Sequence, residues 1–97
     1  MKPLYEDRIV DRQVGRNAQL FANAIADLDG PEVRYPYLRI LVALIEQAHP
    51  ELSQAPEKDR QIAELAAEMS GGDLDEDEIS IVVRARDEER GFRQGRA

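Results

Sequence analysis

The sequence has no cysteine and no tryptophan, and its 97 residues include only two phenylalanines, three tyrosines and one histidine. Each shortage excludes something. Without cysteine there are no disulfides, no thiol nucleophile and no thiolate metal site, although this does not fix a compartment. With Phe21, Phe92, Tyr5, Tyr35 and Tyr37 as the whole aromatic complement, the core has to be aliphatic. Lysine is scarce too, since all basic residues but Lys2 and Lys58 are arginine, a bias that carries no functional information. There is no long apolar run. The most apolar stretch, 36–49, contains Arg39 and Glu46 and falls short of the about 20 residues that span a bilayer. Residues 1–7 lack an apolar segment and are acidic, unlike a secretory signal. The expectation is a soluble cytoplasmic protein.

Acid is plentiful. Twenty acidic residues against 13 basic ones give a net charge of -7, which repels nucleic acid and anionic membrane. A chain of this size makes one domain and hides only about 60–70% of its unfolded surface, so the core is thin and a second chain would help it. We assign residues 1–90 to a single helical domain, with 1–13 as an extended arm and 91–97 as a flexible tail.

Hydrophobic spacing predicts the helices. Val14, Ala18, Phe21, Ala22, Ile25 and Leu28 recur at steps of three and four, an amphipathic stripe that starts near Gly15 or Arg16 and ends at Asp29-Gly30-Pro31. The second helix starts at Pro31 or Pro36, both acceptable in a first turn, and stops at His49-Pro50. Leu38, Leu41, Val42 and Ile45 lie on one side of it and Ile40 and Leu44 on another. A helix apolar nearly all round is a buried one, which makes this the central helix. Residues 51–55 read as a loop. A third helix opens at Pro56-Glu57-Lys58-Asp59, carries Ile62, Leu65, Ala66 and Met69 inward, and ends at Ser70-Gly71-Gly72. Ile79 to Arg84 is β-branched enough for a strand, but Ile79, Val82, Val83 and Arg86 also fit the helical period. A helix is the expectation, because a lone strand would have no partner, and Arg84 with Glu88 and Glu89 with Arg93 would support it as i,i+4 pairs. The fold class is thus all-α, a small bundle of three helices plus a fourth.

Candidates for chemistry are few. Asp73-x-Asp75-x-Asp77 matches the first ligands of an EF-hand loop, yet Glu78 occupies the glycine position and Arg84 the bidentate one, so an acidic helix start accounts for it. Glu46 and His49 have the spacing of one Glu-x-x-His metal pair, but a single copy at a helix end is more simply a histidine meeting free carbonyls. No serine has a triad partner, and no carboxylate except Glu46 falls on a core stripe. Gly71-Gly72 follows no strand and makes no phosphate loop. We therefore expect no enzyme, no cofactor and no metal.

The block Val14-Gly15-Arg16-Asn17-Ala18-Gln19 resembles the Tyr-Gly-Arg-Asn-Ile-Gln block of a domain-of-unknown-function family of short bacterial proteins. The similarity extends over about residues 5–77, through His49-Pro50-Glu51-Leu52 and Met69-Ser70, with Val14 in place of the family's tyrosine. It implies a helical cytoplasmic protein and supplies no catalytic residues. Read physically, Gly15 permits an unusual backbone, Arg16 offers a fork for a carboxylate, and Asn17 can cap a helix. Arg16 either holds the helix start through an internal ion pair or grips an acidic partner.

By elimination the chain reads as a non-enzymatic helical protein-protein interaction module or accessory subunit. Its partner-binding candidates are Arg16, Asn17, Ile40 and Leu44, with a homodimer as one way to cover the second helix. On that view Leu44→Glu unfolds a monomer or splits a dimer. The alternative is a small regulator that contacts nucleic acid through Arg84, Arg86, Arg90, Arg93 and Arg96, with Phe92 stacking on a base.

Overall fold

The computed structural model describes residues 11–95, with side chains through Arg90. Four α-helices follow one another: α1 (Arg16–Ala26), α2 (Pro31–Ala48), α3 (Lys58–Met69) and α4 (Glu76–Gly95). A short 3-10 helix, Pro50–Gln54, stands between α2 and α3 where a loop was expected. No strand occurs among the described residues, and the β-branched run Ile79 to Val83 is helical. α4 continues to Gly95, past Gly91 where the tail was placed. Residues 1–10 of the predicted arm lie outside the described residues, and 11–14 form a turn.

The helix boundaries have local causes. Gly15 precedes α1 at φ 101° and ψ 169°, a region essentially reserved for glycine, and a Cβ there would meet nothing within 4 Å. Backbone conformation therefore demands this glycine, and crowding does not. Asp11 braces the same turn, its carboxylate accepting hydrogen bonds from the N–H groups of Gln13 and Val14 at 2.9 and 3.0 Å. α1 stops at Ala26, earlier than expected, because Gly30 at φ 91° opens α2 and does not close α1. Pro31 is the first residue of α2 and Pro36 lies inside it. Pro36 removes one hydrogen bond to the carbonyl four residues back, which is in the first turn. α3 ends as the sequence predicts: Gly72 N–H bonds the Ala67 carbonyl at 2.8 Å, with Gly71 and Gly72 both at positive φ. α4 begins on Asp75, whose carboxylate accepts from the Glu78 N–H at 2.9 Å.

α2 and α3 each touch all the other helices. α4 packs mainly on α3 and then on α2, α1 packs on α2 and α3, and α1 and α4 do not meet among the described residues. The core is aliphatic throughout. Ile25 from α1, Leu38, Leu41, Val42 and Ile45 from α2, Ile62 from α3, and Ile79, Val82 and Val83 from α4 are all almost wholly buried. Alanines 18, 22, 63 and 66 between them let the helix axes approach closely.

Burial of α2 is not complete, which corrects the expectation drawn from its apolar character. α1, α3 and α4 pack on α2 but leave Ile40 and Leu44 uncovered. Ile40 is 50% exposed and Leu44 39%.

Candidate functional site

The uncovered side of α2 carries Val33, Tyr37, Ile40 and Leu44, at steps of four, three and four. That spacing puts all four on one face of a helix, and every one of them is exposed. α1 extends this face, because the Phe21 ring meets that of Tyr37 edge-on at 6.5 Å. Asn17 and Ala24, one turn either side of Phe21, share its flank and are exposed. Leu20, next to Phe21, is exposed as well. The result is a continuous apolar face over two helices.

Charges border this face without entering it. Between Val33 and Gln47, α2 has three ionic residues, Arg34, Arg39 and Glu46, and each is engaged inside the molecule. Arg34 makes a bidentate pair with Glu78 at 2.9 and 3.0 Å and donates to the Leu28 carbonyl, tying α2 to the start of α4. Arg39 forks onto Glu89 at 2.8 and 3.2 Å and lies over the Tyr35 ring. These long-range pairs take Glu78 and Glu89 across to α2, and Arg84 reaches Asp59. Of the i,i+4 pairs expected along α4, Arg84 thus turns to Asp59 and not to Glu88, while the side chain of Arg93, the expected partner of Glu89, lies outside the described residues.

Glu46 is the most heavily engaged acid. Lys58 Nζ, Arg86 and Arg90 approach its carboxylate at 3.0, 3.0 and 3.1 Å, and Asp87 completes the junction by accepting from Lys58 and Arg90 at 2.7 Å. Burial pushes the Glu46 carboxyl up, but the hydrogen bonds from Lys58, Arg90 and Arg86 outweigh it and hold the pKa below the ordinary range. The site is an ionised structural knot of α2, α3 and α4, since a proton donor or acceptor at neutral pH would need the opposite shift. Arg86 and Arg90, two arginines on which nucleic-acid contact would rest, are occupied here.

His49 does not serve free carbonyls, as its sequence position suggested. Its backbone N–H caps α2 on the Ile45 carbonyl, while the ring nitrogens face Asp11 at 2.7 Å and Glu51 at 3.0 Å. Burial lowers its pKa, Asp11 and Glu51 raise it by more, and the net shift is upward. Glu46 and His49 thus turn to different partners. Among the described residues no three of His, Asp and Glu converge as metal ligands.

Of the four predicted binding residues, Ile40 and Leu44 fall on the apolar face and Asn17 on its α1 flank. Asn17 is not the cap of α1, because Gly15 holds that position and no side chain caps it. Arg16, turned about 100° from Asn17, is exposed and has no ion pair among the described residues. A cation in the first turn also opposes the helix dipole, so neither observation supports the helix-start role for Arg16. Val33 and Tyr37 were missed in the sequence. The signal was present in the repeat 33, 37, 40, 44, but Pro36 as an alternative helix start hid its first half.

A groove of about 610 Å³ between the 3-10 helix and α4 is lined by Ser53, Lys58, Asp59, Arg84 and Asp87 among others. Its ionic groups bind one another, and it holds no nucleophile with an adjacent base. No helix among the described residues is long and apolar enough to cross a membrane. No family model, no curated protein and no solved structure matches the chain.

Proposed function

We propose that this protein is a helical interaction module whose working surface is the apolar face of α1 and α2. The observation that carries the reading is the unpartnered row Val33, Tyr37, Ile40 and Leu44 beside Phe21 and Leu20. Five side chains at 39–50% exposure leave roughly 400–500 Å² of apolar surface to water, the size of the largest patch on a typical monomer and often a functional one. The row on α2 runs along one helix with α1 at its side, a shape that receives a partner helix through anchors at i, i+3, i+4 and i+7. The internally paired Arg34, Arg39 and Glu46 add support, because docking along this row desolvates no unpaired ion between Val33 and Gln47.

The test is affinity capture from the native cell with the tagged wild-type chain and with Ile40→Glu, after circular dichroism has shown that the variant is folded. The reading expects a partner that the wild type retains and the folded variant loses. An identical set of bound proteins for both would overturn it. Arg16→Ala in the same assay assigns the arginine: lost capture from a stable protein gives it a role in binding.

A further inference from the structure

We infer that the occupant of this face is a second copy of the chain, laid antiparallel across α2 about a two-fold axis near residues 38 and 39. The inference rests on the proposed interaction surface and names its partner. Three observations carry it. The first is the spacing. Steps of four, three and four read the same in both directions, so an antiparallel copy sets Val33 against the partner's Leu44 and Tyr37 against the partner's Ile40. A self-complementary patch of this kind is what a two-fold interface requires.

The second is area. Two such faces bury roughly 800–1000 Å² of apolar surface between them, and the polar rim brings the total into the range of about 1,000 Å² or more that a specific interface should clear. The third is charge. Arg34, Arg39 and Glu46 are each neutralised within their own chain, so the seam itself is electrically quiet. Repulsion then comes from the net charge of -7 on each copy, the exposed Glu32 at the end of the seam included. Salt screens that repulsion and leaves the apolar seam intact, so association strengthens as salt is added.

Sedimentation equilibrium of the full chain from micromolar to millimolar concentration tests the proposal. The mass is expected to climb from 11.0 kDa toward twice that value, at lower protein concentration in high salt than in low, and Ile40→Glu should hold it at one chain. A single-chain mass at every concentration and salt overturns the dimer, yet leaves the partner reading to its own capture experiment. Orientation has a separate readout that does not depend on Ile40→Glu folding. Because the chain has no cysteine, Val33→Cys and Leu44→Cys can be oxidised alone or mixed. A disulfide dimer that forms only in the mixture supports the antiparallel seam, whereas dimers of each variant alone and none between them would refute it.

Discussion

The two sides of α2 are built from the same kinds of residue and meet opposite fates. Leu38, Leu41, Val42 and Ile45 are wholly buried, while Val33, Tyr37, Ile40 and Leu44, interleaved with them along the same helix, are exposed. Nothing in the side chains distinguishes the two rows. Their neighbours do: α1, α3 and α4 converge on one and leave the other open. The apolar character of a helix surface thus does not say by itself whether the rest of the chain covers it.

The contrast makes the expected effects of substitution very unequal. Ile45→Ala should be the most damaging, at about 2–5 kcal/mol by denaturant titration, because it opens a cavity among side chains that cannot collapse into it. Glu46→Ala comes next, at about 2–3 kcal/mol, since it leaves Lys58, Arg86 and Arg90 crowded without their shared anion. The same group predicts acid sensitivity. Its folded pKa lies below the ordinary 4.5, so its contribution is present above that pH and is lost as pH falls through the depressed value, which a melting series across this range would follow.

Gly15→Ala should cost about 1–3 kcal/mol through its backbone angle alone. Leu44→Glu, on the open row, should change the stability of an isolated chain by less than about 1 kcal/mol, in contrast to the unfolding that full burial of α2 would imply. The smallest effect belongs to His49. Its pKa is raised above the ordinary 6.5, so its clasp on Asp11 contributes fully below that pH and fades as pH rises through the folded value. Proton NMR titration of the single imidazole would report an upward-shifted midpoint, and Asp11→Asn should bring that midpoint down.

Much of this fold is legible in the sequence because it depends on local chemistry. The stops at His49-Pro50 and Ser70-Gly71-Gly72, the stripe of α1, and the buried row of α2 all follow from period and backbone preference. The expected helix over the β-branched run Ile79 to Arg84 forms, since Asp75 caps the segment and Ile79, Val82 and Val83 all reach the core. The candidate site is half legible. Ile40 and Leu44 stand out as surplus apolar surface, whereas Val33 and Tyr37 join them only once α2 is known to begin at Pro31. The roles of Arg39, Glu46, Glu78, Glu89 and His49 are not legible, because their partners lie far away in the chain.

Periodicity, glycine and proline are properties of neighbouring residues, so the chain specifies by itself an all-α domain with an aliphatic core and a most apolar helix spanning Leu38 to Ile45. Which face of that helix stays open is decided by the packing directions of α1, α3 and α4. Those directions minimise exposed surface over the whole molecule, and no window of sequence contains that sum. The same packing turns three ions of α2 to distant partners within the molecule and leaves an uncharged row exposed.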